Sequence, residues 1–248
     1  MKIYWMLSFC KFIFILVFIY SSQIKAHHKI YSAKVEDGRQ SLEWRGHLNL
    51  DNQTSLDKEH HHVFETENSW NNYWQSEIEF HLSDKDNTTL DFEKIEFQNQ
   101  VQIVDESNLY TSLYFSYNFV SSDNKGDEIE YKLLNEYNNP LFNFISNFIF
   151  EKQIGKNSAG STEFSLSNYL FFKRELFGET KLGFIGFSEF GEVYQFNSFQ
   201  NQEHQYGIQF ENNFRIFDSE LEFAMGILFG LTRSSPHTAL IWNIESEF

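Results

Sequence analysis

The feature that most constrains this chain is alternation. From about residue 40 to the end, apolar and polar side chains exchange places residue by residue, and no segment shows a sustained 3.6-residue apolar stripe. Leu221, Phe223, Met225, Ile227, Phe229 and Leu231 share one parity, while Glu222, Ala224, Gly226, Leu228 and Gly230 hold the other. Tyr206, Ile208, Phe210, Phe214 and Ile216 stand likewise against Gln205, Gln209, Glu211, Asn213 and Arg215. Leu42, Trp44, Leu48 and Leu50 oppose Glu43, Arg45, His47 and Asn49. Successive side chains of a strand point to opposite faces, so each segment has one apolar and one polar face. The only prolines, Pro140 and Pro236, fall in turn-like segments, leaving the strand N–H groups available for ladders.

A soluble sandwich alternates too, so the solvent must be read from what the polar face carries. Here it carries bulky charges, among them Glu43, Arg45, Glu77, Glu79, Glu130, Lys132, Glu211, Arg215 and Glu222, as a hydrated lumen would; the opposite face is rich in Phe and Trp, as a lipid-exposed band would be. The pattern predicts an all-β fold, an antiparallel up-and-down transmembrane β-barrel of about twelve strands. The candidate strands are roughly 28–36, 40–51, 64–82, 88–104, 109–121, 128–138, 141–151, 162–173, 178–192, 203–217, 220–231 and 236–248. With both termini in the periplasm, Asp37 to Arg39 becomes a very tight outer loop and Asp51 to Val63 a very long periplasmic one. A ten-stranded barrel with an N-terminal extension or plug is therefore the alternative.

The front of the chain reads as a secretory leader. Lys2 and Lys11 precede the apolar run Phe12 to Tyr20, which is followed by the polar Ser21 to Lys25. That run is too short for a spanning helix, which needs roughly 20 residues. Residues 1–26 are expected to be a signal peptide cut after Ala26, leaving 27–248 as the barrel. Cys10 is the only cysteine and falls in the leader, so the exported chain has no thiol or disulfide chemistry. The formal charge of the whole chain is −16, and loss of the leader's lysines makes it more negative, which argues against nucleic-acid partners.

The chain ends Leu240-Ile241-Trp242-Asn243-Ile244-Glu245-Ser246-Glu247-Phe248. Leu240, Trp242, Ile244 and Phe248 resemble the C-terminal signal of outer-membrane proteins read by the barrel-assembly machinery; Ser246 departs from it. A last strand must pair with the first to abolish an edge in lipid, with alternate side chains facing hydrocarbon. A second resemblance rests on Lys34-Val35-Glu36-Asp37-Gly38, Glu43-Trp44-Arg45-Gly46, Gln202, His204 and Gly207. These are similar to a group of proteobacterial outer-membrane proteins without an assigned activity. Both resemblances imply a bacterial outer-membrane location, with lipid and the assembly machinery as partners, and neither implies chemistry.

The inward charges admit two readings, a permeation path or an ion-paired network filling a closed interior, because buried charges must pair where water does not reach them. An open acidic lumen would favour cations or neutral solutes over anions. His60-His61-His62 reads as a solvated polar loop, and no metal site or cofactor is expected, since CxxC and HExxH spacings are absent. A lipid-modifying enzyme, with His204 or His237 in a Ser-His-acid arrangement, and a soluble exported β-sandwich binding module are the alternatives to a narrow passive channel or structural barrel.

Overall fold

In the computed structural model, which describes residues 28–53, 56–84, 89–122, 124–158, 160–177, 179–216 and 219–248, the alternating segments form thirteen strands. They are β1 (Gln40–Leu50), β2 (His60–Asn71), β3 (Trp74–Asp84), β4 (Asp91–Glu106), β5 (Leu109–Val120), β6 (Asp127–Asn138), β7 (Phe142–Ile154), β8 (Thr162–Phe177), β9 (Thr180–Glu192), β10 (Gln195–Phe196), β11 (Glu203–Ile216), β12 (Ser219–Gly230) and β13 (Thr238–Glu247). Twelve of them pair antiparallel around one closed sheet. The two-residue β10 only extends the end of β9 within a loop. The sheet closes where β13 meets β1, from Ser41↔Glu247 to Leu50↔Thr238. Closure pairs the edge groups that an open sheet would leave bare.

Alternation gives the wall its two faces. Leu42, Phe64, Phe80, Phe97, Phe115, Tyr131, Phe184 and Met225 stand exposed outside, whereas Glu65, Glu79, Gln98, Ser116, Glu130 and Asn147 are buried inside. A closed barrel therefore turns a greasy belt outward and encloses polar groups, inverting the usual soluble core.

The front end corrects the sequence reading twice. Residues 64–82 are two strands, β2 and β3, joined by the two-residue turn Asn72-Tyr73, and residues 28–36 are not a strand. The two errors cancel, so twelve strands remain. They also reversed the assignment of the first loop. The strand ends joined by the longer connections, those of β1–β2, β3–β4, β5–β6, β7–β8, β9–β11 and β12–β13, lie at one end of the barrel, and those joined by the short ones, β2–β3, β4–β5, β6–β7, β8–β9 and β11–β12, at the other. The segment 51–59 thus belongs to the long-loop end, and β2 begins at His60, placing the three histidines in a strand rather than a loop. The signal-peptide region and Cys10 lie outside the described residues.

Residues 28–39 run down the inside of the barrel. His28 meets His47 and Gln205, which lie near the loop ends of β1 and β11, and Arg39 meets Glu245 and Glu247 at the turn end of β13. Tyr31, Ala33 and Val35 are buried, an alternation that mimics a strand. Its backbone groups are satisfied by lumen side chains. Asn147 accepts the Tyr31 N–H at 2.8 Å and donates to its carbonyl at 2.9 Å; Glu136 accepts the Ala33 N–H at 3.1 Å, Ser112 donates to the Ala33 carbonyl, and Gln102 accepts the Val35 N–H at 2.6 Å. Side-chain amides and carboxylates thus do what a neighbouring backbone does in a sheet, and the segment fills the lumen without joining the wall.

Candidate functional site

The interior is organised by register. Glu222, Glu245, Glu43, Glu65, Glu79 and Glu96 stand directly opposite one another on six consecutive strands, from β12 through β13, β1, β2 and β3 to β4. A second row runs Glu67, Glu77, Gln98, Ser116, Glu130, Glu151, Glu163 and Glu192. Like charges directly opposite across a ladder are destabilising. At a separation of about 4 Å two unit charges repel by roughly 4 kcal/mol even at an effective dielectric of 20, so such rows need cations or bound protons.

Arg45 of β1 supplies the first. Its guanidinium lies 2.5 Å from Glu43, 2.5 Å from Glu65 and 2.6 Å from Glu79, bridging three strands. Lys29, carried by the internal segment, contacts Glu65, and lies 3.1 Å from Glu77 and 3.8 Å from Glu79. Lys94 adds contacts to Glu96 and Glu128. Lys132 pairs with Glu130 at 2.8 Å and sits over the rings of Tyr31 and Tyr114, at 4.0 and 4.1 Å from their centroids. Tyr114 in turn donates to Glu96 at 3.0 Å. At the turn end Arg39 joins Glu245, Glu247 and, at 3.7 Å, Glu67. Lys34 donates to Glu36 at 2.6 Å, a hydrogen bond that lowers the Glu36 carboxyl pKa and raises that of Lys34.

Of the residues the alternation placed in the lumen, Glu43, Arg45, Glu77, Glu79, Glu130 and Lys132 are buried and inward, joined in these networks. Glu211 accepts from Tyr169 and from Gln209, and Glu222 faces the same space from β12. Arg215 lies on β11, its side chain outside those described. Lys29, Glu65, Glu96 and Tyr31 belong to the same constellation and were missed. Glu65 was legible from its parity; Lys29 and Tyr31 were not, because their segment was assigned to the wall.

Beside the internal segment a cavity of about 410 Å³ remains. It reaches solvent at the turn end, where Glu36 and Glu247 are each about half exposed. On its loop-end side it is lined by His28, held between His47 at 3.1 Å and Gln205 at 3.0 Å and set edge-on against Phe187. Its far wall is apolar, built from the inward side chains of Ile145, Tyr169, Phe171, Ile185, Phe187 and Ile241. Alternation alone had assigned the large apolar residues to the exterior; β8 and β9 carry them on both faces.

Among the described residues, two clusters bring three possible metal donors close together, Glu65 with Glu67 and Glu77, and Glu79 with His81 and Glu96. Lys29 and Arg45 already occupy carboxylates in each. Of the three consecutive histidines, His61 points inward to His81, at 3.4 Å, while His60 and His62 share the outer face. The His204 ring bonds to Gln202 at 2.8 Å and the His237 ring to Thr238 at 3.2 Å; Asp51 takes the backbone N–H of His237, not its ring. A Ser-His-acid relay is not what these contacts build.

At the C-terminus, Leu240, Trp242 and Ile244 share the outward parity of β13, with Ala239 and Ile241 buried inward, and Phe248 is 68 % exposed. Leu240, Trp242 and Ile244 therefore line up on the outer face of the closing strand, Trp242 next to Trp44 of β1, and Phe248 follows the strand's last residue.

No family model and no curated protein sequence matches the chain. Among solved structures it is similar to the NanC porin, with a TM-score of 0.58 at 10 % identity, over 84 % of this chain and 98 % of that one. A bacterial polysaccharide outer membrane secretin gives a TM-score of 0.44 at 8 % identity, over 84 % and 98 % of the two chains. A Rhodopseudomonas blastica porin variant gives 0.29 at 8 %, over 86 % and 99 %. The first of these likenesses establishes the barrel fold and nothing about cargo.

Proposed function

We propose that this chain is a bacterial outer-membrane protein whose barrel forms a narrow route for small solutes, held shut in the state described by its own residues 28–36. The apolar outer belt and the polar interior support the membrane setting, and the porin-like fold agrees with it. In this reading residues 1–26 are removed on export, the short turns face the periplasm, and the outward row Leu240, Trp242, Ile244 and Phe248 is what the assembly machinery binds.

The observation that carries the closed state is Lys29. It enters the lumen on a segment outside the wall and answers carboxylates that Arg45 alone leaves in excess. Displacing the segment would uncover an acidic passage, favouring cations and neutral solutes over anions. The dense pairing of the segment favours a second reading, a permanently closed structural barrel. Planar-bilayer recordings separate the two. The full chain should give rare or no openings, and a chain lacking residues 28–36 should give steady, cation-selective current; absence of current from both would leave the structural barrel.

A further inference from the structure

The cavity left beside the internal segment has a chemistry of its own. Its turn-end mouth is acidic. Glu222 stands directly opposite Glu245 and near Glu211, and Arg39, the base beside it, is already engaged with Glu245 and Glu247. Its inner wall, by contrast, is hydrocarbon and aromatic, with Phe171, Ile185 and Ile241 pointing into the lumen.

A second, independent observation concerns hydrogen bonding. Four oxygens on residues lining this cavity, Glu67 Oε1, Gln100 Oε1, Asn143 Oδ1 and Asn243 Oδ1, are buried and accept no hydrogen bond from the described residues. Glu67 and Gln100 are 7 % and 1 % exposed. Glu67 Oε1 keeps only the 3.7 Å ion pair with Arg39, too long for a hydrogen bond. All four are acceptors, and a buried acceptor without a donor costs about 1–3 kcal/mol. A guest that satisfies them must bring N–H or O–H donors, and the acidic mouth favours donors carried on a cation.

We propose that this cavity binds a small amphipathic organic cation, a primary ammonium on a short apolar body, entering from the turn end. Its ammonium lies between Glu222 and Asn243, diagonal neighbours on the inner face of the β12–β13 pair, and its hydrocarbon against Phe171 and Ile241. The volume falls within the roughly 300–1,000 Å³ of small-molecule sites, toward the small end. Anions are excluded by the glutamate rows, and hydrophilic cations gain nothing from the apolar wall. Binding does not require passage across the barrel, so it can hold whatever the conductance measurements return.

The test uses the full exported chain in detergent micelles, with protein-free micelles as reference, and equilibrium dialysis of 2-phenylethylamine, 2-phenylethanol and phenylacetate. The amine is expected to bind at least about tenfold more tightly than either isostere, as one hydrogen-bonded ion pair provides. Glu222→Gln should weaken the amine by roughly tenfold, whereas Glu179→Gln, an exposed turn carboxylate, should not change it. Equal binding of the three compounds, an unchanged amine affinity in Glu222→Gln, or an equal loss in Glu179→Gln would overturn the proposal. The comparison of isosteres needs no variant and so survives a misfolded one.

Discussion

Gly46 of β1 and Trp242 of β13 face each other across the seam that closes the barrel, and the indole ring lies where a side chain on residue 46 would stand. A Cβ there would also meet the backbone carbonyl of His61 on β2. Trp44 and His62 pack around the same ring. The glycine thus lets an aromatic side chain cover the junction of first and last strands, a device known to protect glycines within sheets. Gly46→Ala should destabilise the folded barrel by about 1–3 kcal/mol through overpacking. Urea unfolding followed by tryptophan emission measures it, and a variant as stable as the parent would refute the packing described.

Removing Lys29 should release the internal segment before it unfolds the wall. Lys29→Met keeps the bulk of the side chain but leaves Glu65 and Glu77 without their shared cation, and breaking a buried pair from one side costs about 3–5 kcal/mol. With a cysteine placed at Ser32, half-buried beneath Glu136, alkylation should be markedly faster in the Lys29→Met background. Adding Glu65→Gln should recover part of the protection. If labelling is equally slow in all three chains, Lys29 does not hold the segment.

The outer belt makes a prediction about solvent. Phe115 of β5 is 40 % exposed near the middle of its strand. In hydrocarbon an arginine at mid-depth costs roughly 2–4 kcal/mol, whereas on a water-facing sheet it would cost little. Phe115→Arg should therefore lower stability in lipid vesicles by that amount, and Phe115→Leu should be close to neutral. A neutral arginine variant would argue against a membrane at this face.

Orientation can be read by labelling, because the only native cysteine precedes the barrel. Ser198→Cys lies at the long-loop end and Asn108→Cys at the short-turn end, both on exposed residues. An impermeant maleimide applied to intact cells should mark Ser198→Cys alone. Labelling of Asn108→Cys alone would invert the proposed topology.

Much of this architecture is legible in the amino-acid sequence. The parity of Glu43, Arg45, Glu77, Glu79, Glu130 and Lys132 placed each on the inner face, where each is found. Misreadings arose where alternation continued through something that was not one strand. Trp70 and Trp74 keep the same parity across the two-residue turn at Asn72-Tyr73, so β2 and β3 read as one. Tyr31, Ala33 and Val35 alternate as a strand would, yet their backbone partners are the side chains of Asn147, Glu136, Ser112 and Gln102. Along β8 and β9, Tyr169, Phe171, Ile185 and Phe187 look inward although their neighbours Leu170, Phe172 and Phe184 are also apolar, and a pattern rich on both faces gives parity nothing to sort.

What the sequence determined by itself, along the strands whose two faces differ sharply in residue type, is which face of the wall each side chain takes, since a strand offers only two. Which side chains stand opposite one another was decided by the tertiary structure alone. Strand register is set by turns, bulges and closure around the whole ring, and it is register that aligns Glu43, Glu65, Glu79 and Glu96 into one row. That alignment concentrates negative charge beyond what Arg45 offsets, and so gives a lysine carried on a segment outside the wall a place to bind.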